Sequence, residues 1–266
     1  EYPLPMIVNA ALIRPGHRPN QRPSGAPLPH LMEVWRAGAP SLDMICPDIY
    51  FPNFMEWCER YVRNGNPLFI PEMAPSARAS GNAVYAFARH HAIGVGPFAI
   101  EDMAGEKAAL LTSCYGTLAG MSDLVLKAQR DGTVVGMSPQ VGFDWAVEEG
   151  PQRAELGGVV FEARFDRPAG EGEVEVTSLP TFGPGRWEAP PGAPRGAVMI
   201  IQLSPDEFVV VGVGVKVTFA PADGQGKVGI DRVQEGRYTT DGSWDGGRWL
   251  NGDQTHQGRH IHLYDG

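Results

Sequence analysis

The first 130 residues alternate between strand-like and helix-like segments, and this alternation limits the fold more than any other feature of the chain. Short apolar runs predict buried strands, and apolar residues recurring at helical spacing predict a helix after each strand. The predicted strands are 5–12, 42–50, 66–73 and 92–100, and the predicted helices are about 31–38, 53–63, 80–91 and 110–131. Near-continuous apolar strands that alternate with helices are typical of a parallel sheet covered on both faces. Four such units are half of a (β/α)8 barrel, so we expect an N-terminal half, as further chain or as a separate fragment, to supply four more.

The pattern changes after Gly132, which can end the last helix in a left-handed conformation. The later segments are β-rich, several alternate apolar and polar residues at period two, and turn signals such as Ser204-Pro205-Asp206 separate them. The predicted strands are 158–165, 173–179, 197–203, 207–219, 227–233 and 259–264. We therefore predict a fold that is α/β plus all-β: the second half of a TIM barrel in residues 1–132, then an antiparallel β-sandwich or jelly roll in residues 133–266.

The charge and hydrophobicity of the chain limit the kinds of ligand and partner that it can bind. The net charge of −9 and the pI near 5.3 argue against nucleic acid, whose binding needs clustered Lys and Arg. No apolar run is long enough to predict a membrane span. A neutral sugar is compatible with this surface, and so is a homo-oligomer, which the sequence does not define. Cys46, Cys58 and Cys114 lie in or beside apolar segments without CxxC spacing, which favours buried free thiols over a disulfide.

Glu72 is the most informative candidate residue. Leu68, Phe69 and Ile70 form a short apolar run, and the carboxylate follows where a buried parallel strand would reach the surface. In a (β/α)8 barrel, the side chains just past the carboxyl ends of the strands form the active site. Glu72 is therefore either a catalytic carboxylate or an ordinary charge at the end of a strand.

Further polar residues lie near the ends of the predicted strands, and beside a carboxylate they suit glycoside hydrolysis. They are Asn9, Asp48, Tyr50, Asn53, Glu101 and Asp102. Structural interpretations stand beside the functional ones. Asn9 and Asp48 can satisfy backbone groups of loops, and Tyr50 can be a rim aromatic whose hydroxyl faces water.

The remaining members of this set also suit helix starts. Asn53 is a good helix N-cap, and Glu56 follows three residues later, as in a capping box. Glu101 and Asp102 can begin the last helix favourably against its dipole. For these three residues, and for Asp48, the structural interpretation is the stronger one.

Two features of the β-rich part carry less weight. His260 and His262 alternate along a predicted strand, a spacing that can bind a metal. No third ligand is evident, so a surface strand is the preferred interpretation. Tyr238, Trp244 and Trp249 could stack on sugar rings if exposed, but packing against the barrel or the domain core is the commoner arrangement.

The run PDIYFPNFMEWCERYVRNGNPLFIPEM, from Pro47 to Met73, closely resembles bacterial β-galactosidases of glycoside hydrolase family 35. The preceding PSGAPLPHLMEVWRAGAPSLD and the later GRWLNGDQTH fit the same bacterial subgroup, which appends a β-domain after the barrel. The resemblance covers nearly the whole chain, and its central motif is long and specific. It implies retaining hydrolysis of terminal β-galactosyl residues on a (β/α)8 barrel, with no metal or cofactor needed. The four predicted strands would then be the fifth to the eighth.

The resemblance also implies roles for particular residues. Glu72 matches the family's nucleophile at the end of the seventh strand, and Tyr50 matches a sixth-strand tyrosine that hydrogen-bonds the nucleophile. The weaker matches, as substrate-binding residues, are Asn9, Asn53 and Glu101. The family's acid/base glutamate follows an asparagine on the fourth strand, which under this alignment precedes Glu1, and no Asn-Glu pair occurs in the chain. We therefore expect the isolated chain to be inactive.

Two alternatives stay open at this point. A non-catalytic carbohydrate-binding protein on a degenerate barrel is disfavoured by Glu72, because a degenerate site usually loses its carboxylates. An α-L-arabinopyranosidase is the narrower alternative, since its substrate lacks only a hydroxymethyl group, and a pocket discriminates modestly against such a change. The galactoside could be an oligosaccharide or a polysaccharide side chain, and this substrate class favours a periplasmic or extracellular location.

Overall fold

The N-terminal part is a parallel sheet with helices between its strands. The computed structural model describes residues 3–14, 17–21, 25–166, 189–190 and 192–264. The strands are β1 (Ile7–Ala11), β2 (Met44–Ile49), β3 (Phe69–Met73) and β4 (Gly94–Pro97). The helices are α1 (Met32–Gly38), α2 (Phe54–Tyr61), α3 (Ala79–His90), α4 (Gly105–Gly120) and α5 (Ser122–Asp131). The strand order is β1-β2-β3-β4, all parallel, so the four predicted strands and the first three predicted helices are confirmed.

The remainder of the described chain is antiparallel β-structure. Its strands are β5 (Val134–Met137), β6 (Gln152–Leu156), β7 (Val159–Phe165), β8 (Ala197–Ser204), β9 (Glu207–Val213), β10 (Val215–Pro221), β11 (Gln234–Tyr238), β12 (Trp244–Trp249) and β13 (His260–Leu263). They form the sheets β5-β8-β9 and β13-β10-β7-β6 and the hairpin β11-β12. The class predicted from sequence, α/β plus all-β, is confirmed at this level. The domain boundary at residue 132 stays a prediction.

The long helix predicted up to Gly132 is in fact two helices, α4 and α5, bent by 67° at the break between them. At Gly120 a Cβ atom would come within 2.5 Å of the carbonyl oxygen of Tyr238, so β11 lies directly against the end of α4. Met121 at the break is 1% exposed and lies in a core formed with α3, α5 and β8. Tertiary packing therefore overrides the helical periodicity. Gly132, with φ 69°, ends α5 as predicted.

Two predicted strands in the β-rich part were wrong in detail. Segment 207–219 is divided at Gly214, whose φ of 56° suits a residue without a side chain, so β9 and β10 belong to different sheets. Segment 227–233 is irregular, and the Ile230 N–H bonds to the carbonyl of Gly258. The predicted strand 173–179 lies outside the described residues. Strands β5, β6, β11 and β12 were missed because they are short, and most are rich in polar residues or glycine.

Helix α3 packs on both parts of the molecule. Ala83 and Tyr85 belong to the core that covers the parallel sheet. Val84 and Ala88 belong to a second core with the β5-β8-β9 sheet. The helix is therefore buried along most of its length, and small side chains allow the two sheets to approach it closely.

Gly81→Ala should destabilise the protein by roughly 1–3 kcal/mol, because overpacking against backbone is relieved only by strain. A Cβ atom at Gly81, in α3, would lie 2.3 Å from the carbonyl oxygen of Arg195. Gly116, in α4, is the matched control, since nothing lies within 4 Å of its Cβ position. Gly116→Ala should stabilise by up to about 1 kcal/mol. Chemical denaturation of both variants checks the pair, and equal effects would contradict the close packing of α3.

Candidate active site

Tyr50 and Glu72 meet at the carboxyl ends of neighbouring strands. Tyr50 directly follows β2, and Glu72 is the last residue but one of β3. The Tyr50 hydroxyl donates a hydrogen bond of 2.7 Å to Oε2 of Glu72. The structure thus brings together the two residues to which the resemblance gives catalytic roles, and those roles themselves stay predictions.

Asp48 and Asn9 extend this group onto a third strand. Asp48 is the register partner of Glu72 across the β2–β3 pair, so the two carboxylates leave the sheet on the same face. Nδ2 of Asn9, in β1, donates a hydrogen bond of 3.1 Å to Oδ1 of Asp48. Asn9, Asp48, Tyr50 and Glu72 therefore lie side by side on one face of the sheet.

Burial changes the ionisation of two members of this group. Burial, and to a smaller extent the charge of Glu72, raise the pKa of Asp48 to about 6, while the hydrogen bond from Asn9 acts in the opposite direction. Burial also raises the pKa of the Tyr50 hydroxyl well above its usual range, and the hydrogen bond to Glu72 adds to that shift. Tyr50 therefore keeps its proton at neutral pH and stays a hydrogen-bond donor to Glu72.

Phe98 belongs to the same group, and sequence reasoning missed it. Its ring stands edge-on to that of Tyr50, with centroids 6.1 Å apart, and it is 49% exposed. The predicted strand 92–100 enclosed Phe98, whereas β4 ends at Pro97 and leaves the ring beyond the sheet. Its position directly after a buried strand was the available signal. An exposed ring here can cover the apolar face of a ligand.

Asn53 and Glu101 lie less centrally. Asn53 is at the N-cap position of α2, but its ψ of 50° is not that of a capping residue and its side chain makes no capping bond. Nδ2 of Asn53 instead donates 2.6 Å to Oε2 of Glu56, so the predicted capping box is wrong. Oδ1 of Asn53 is buried and has no hydrogen-bond partner among the described residues. Glu101 is exposed on the short 3-10 turn after β4, and in the described part of the chain neither residue bonds to Glu72.

The histidine and tryptophan candidates of the β-rich part lie on strands other than those whose ends carry Tyr50 and Glu72. His262 lies in β13, and its Nε2 is 2.7 Å from Oδ2 of Asp166. His260 lies two residues earlier on the same partly exposed strand. Trp244 and Trp249 are 43% and 56% exposed, so the expectation that they pack in a core was wrong.

Across the described ranges no group of three His, Cys, Asp or Glu side chains could hold a metal ion. All three cysteines are free; Cys46 and Cys58 are buried, as expected, while Cys114 is partly exposed. Among the described helices none alone has the length and apolar character to cross a membrane, although the bent pair α4 and α5 passes by length and composition.

Taken together, the fold and site define an α/β protein that holds a phenol-bonded carboxylate at the ends of its parallel strands and continues into antiparallel sheets. A family model described as a domain of unknown function, DUF5597, matches residues 111–262, more than half of the chain. The chain belongs to the DUF5597 family. The matched range begins in α4 and runs into β13, so it covers the β-rich part and leaves out Tyr50 and Glu72. No curated protein matches the chain.

Asp48→Asn should stabilise the protein at pH 7 and leave its stability nearly unchanged below about pH 4. The folded-state pKa of Asp48 is about 6, above the ordinary value of 3.8, so the folded protein retains a proton that the unfolded chain releases between these values. Stability is therefore lost as the pH rises from about 4 to 6, and the full cost persists above pH 6. Asparagine removes this cost and still offers an oxygen to Asn9. Asp48 is only half-buried, so solvent screening keeps the gain small.

Thermal unfolding between pH 4 and pH 8 checks this pH dependence. The exposed Asp206, in the turn between β8 and β9, gives the control Asp206→Asn, for which no comparable trend is expected. A stability difference between Asp48→Asn and the natural protein that does not grow between pH 4 and pH 7 would contradict the argument.

Proposed function

We propose that the protein is a glycoside hydrolase, a retaining exo-β-galactosidase with Glu72 as its nucleophile. The observation that carries the proposal is the 2.7 Å hydrogen bond from Tyr50 to Oε2 of Glu72 at the ends of parallel strands. A phenol that binds one carboxylate oxygen orients the group and leaves Oε1 to attack an anomeric carbon. The resemblance of residues 47–73 to family 35 glycosidases supports β-galactosides as the substrates.

The parallel sheet is proposed to be half of a (β/α)8 barrel, and the antiparallel part an accessory β-sandwich or jelly-roll domain. Among the described strands, β1 and β4 are the edges of the sheet, and unpaired edges are sites for pairing with further strands. Large apolar side chains near these edges are exposed: Leu4, Met6, Ile7, Ile13, Ile93 and Ile100. Four more βα units, on the same or a separate polypeptide, would pair with both edges and cover these residues.

In the proposed reaction Glu72 attacks C1 of a terminal β-galactosyl residue and forms a covalent glycosyl-enzyme. A carboxylic acid from the other barrel half protonates the leaving oxygen, and the same group then activates the water that releases galactose. Tyr50 holds Glu72, and Phe98 covers an apolar part of the sugar. The proposed substrate-binding residues are Asn9, Asn53 and Glu101. No step requires a metal or a cofactor.

Asp48 is an unsuitable acid/base group despite its closeness to Glu72. The two carboxyl groups of a glycosidase flank the scissile bond. Asp48 and Glu72 are register partners in adjacent strands and leave the sheet on the same face, so both would lie on the same side of the bond. Asp48 is better explained as a structural neighbour of Glu72. It accepts a hydrogen bond from Asn9 and so links β1 to β2 on the face of the sheet that carries Glu72.

Labelling with an activated 2-deoxy-2-fluoro-β-galactoside tests the proposal in the intact enzyme, with both barrel halves present. Peptide mass spectrometry should find the sugar on Glu72, and Glu72→Gln should stay unlabelled. No label, with galactose still bound, would overturn the proposal in favour of a carbohydrate-binding protein. A label on another carboxylate would overturn the strand assignment. The corresponding rates with an aryl α-L-arabinopyranoside decide between the two sugar specificities.

A further inference from the structure

A tight hairpin of the β-rich part, residues 141–147, reaches the loops that follow β2 and β3. Its two ends form an antiparallel bridge, and the Gly142 N–H donates to the carbonyl of Ala146 at 2.7 Å. The tip carries two aromatic side chains, Phe143 and Trp145. The hairpin lies between β5 and β6 in the chain, so it is distant in sequence from the strand ends that it contacts.

Each aromatic side chain contacts a different loop. The ring of Phe143 meets that of Phe51 edge to face, with centroids 5.3 Å apart. Trp145 lies over the guanidinium of Arg78, whose Cζ is 5.6 Å from the ring centroid. Phe51 directly follows Tyr50, and Arg78 ends the loop after β3 that begins just beyond Glu72. One hairpin therefore holds both loops that leave the candidate catalytic residues.

Arg78 connects these two loops. It is 5% exposed, and although burial lowers its pKa, the value of about 10 keeps it a cation at neutral pH. Its Nη1 donates a hydrogen bond of 3.0 Å to the carbonyl oxygen of Pro52. Across the described ranges Arg78 forms no ion pair with a carboxylate. A buried cation needs compensation, and here the Pro52 carbonyl and the electron-rich face of Trp145 supply it.

Trp145 has an unfavourable backbone conformation for a residue with a large side chain. Its φ of 67° lies in the left-handed region, which is unfavourable for a bulky side chain. Glycine is the residue that usually occupies such a position in a short hairpin loop. A tryptophan kept there is consistent with the indole contact to Arg78 compensating the backbone strain.

We propose that hairpin 141–147 is a clamp through which the β-rich part positions the catalytic loop. Trp145 holds Arg78, Arg78 holds the Pro52 carbonyl, and the fixed loop keeps Tyr50 in place to donate to Glu72. The catalytic consequence rests on the proposed function. Trp145 and Arg78 are positioning residues in this scheme, because they act through Pro52 and touch no reacting atom. The β-rich part then takes part in turnover.

Trp145→Gly in the intact enzyme is the primary test, because it removes the indole while relieving the left-handed strain, so the hairpin itself stays favourable. With an aryl β-galactoside, kcat should fall about 10- to 100-fold, since small misplacements of catalytic groups have effects of this size, while KM changes little. Hydrogen exchange should rise in peptides spanning residues 50–57. The control is Arg232→Met, which breaks a similar Trp–Arg pair while leaving the indole in place, since Arg232 Cζ lies 5.5 Å from the Trp249 ring, and it should change neither readout.

A second pair of variants tests Arg78, which links Trp145 to the Pro52 carbonyl. Arg78→Lys keeps a cation that can reach the Pro52 carbonyl and should retain part of the rate, whereas Arg78→Met should lose it. If Trp145→Gly does not fold, Phe143→Leu is measured in the same way, with the same expected direction. Unchanged kcat and unchanged exchange at residues 50–57 would overturn the clamp. An increase in exchange spread over the whole chain, without a local maximum there, would overturn it too.

The exchange measurement separates the clamp from the proposed function. If the natural intact protein turns over no β-galactoside, the proposed function fails. A local increase at residues 50–57 in Trp145→Gly, absent in Arg232→Met, still supports the physical clamp in that case. Absence of the increase overturns the clamp whether or not the enzyme is active.

Discussion

Glu72→Gln is expected to lower kcat of the intact enzyme by more than about 10⁴-fold, the size of loss seen when a covalent nucleophile is removed. An amide does not attack the anomeric carbon, so no glycosyl-enzyme forms. Glutamine has the same size as glutamate, and its oxygen can still accept the hydrogen bond that Tyr50 donates at 2.7 Å. The fold should therefore be retained while the chemistry is lost. Steady-state assays with an aryl β-galactoside, beside thermal unfolding, measure both.

Two controls make the loss specific. Glu155→Gln removes an exposed carboxylate from β6 and should leave kcat unchanged. Glu72→Gly opens space at the same position, so added azide should restore turnover and give an α-galactosyl azide, the product expected when a small anion replaces the nucleophile of a retaining enzyme. Near-natural turnover by Glu72→Gln would contradict the assignment, and so would rescue that yields the β-azide.

The parallel part could be predicted from sequence because its signals are local. The apolar run before Glu72 is bracketed by Pro67 and Pro71, and β3 begins within that run and continues past Pro71 to Met73. The face of α2 was also visible, since Phe54, Trp57 and Cys58 recur at helical spacing and are buried. Because the ends of these strands could be located from sequence, Tyr50 and Glu72 could both be predicted to lie at the carboxyl ends of the parallel strands.

The features that sequence reasoning did not define depend on contacts distant in sequence. The closeness of Asp48 to Glu72 follows from the β2–β3 register, which no single segment encodes. The Trp145–Arg78 contact joins a β-rich hairpin to a loop of the parallel part, and only the folded chain brings them together. The bend at Met121 has the same cause, because the contact of Gly120 with β11 sets where α4 ends.

The isolated chain should show no turnover, and a complementary barrel half should restore it. The two carboxyl groups of a retaining glycosidase stand about 5–5.5 Å apart, on either side of the scissile bond. Asp48 shares the face and the register position of Glu72, and Glu101 and Asp102 are exposed on the turn after β4. None of the carboxylates described near Glu72 suits the acid/base role. Half of the sugar pocket would also be absent, so even substrates with good leaving groups should not react.

Assay of the purified chain with nitrophenyl β-galactoside checks this expectation, after circular dichroism and a cooperative unfolding transition have shown that the chain is folded. Co-expression with the complementary half should recover activity, and co-expression of that half with Glu72→Gln chain should not. Any residual turnover by the isolated chain is compared with that of the isolated Glu72→Gln chain. Activity that survives undiminished in the Glu72→Gln chain does not use Glu72 as its nucleophile, so it either comes from a contaminant or contradicts the assignment of Glu72. Activity that disappears with Glu72 would mean that this chain supplies its own acid, and Asp48 would then be the first residue to replace.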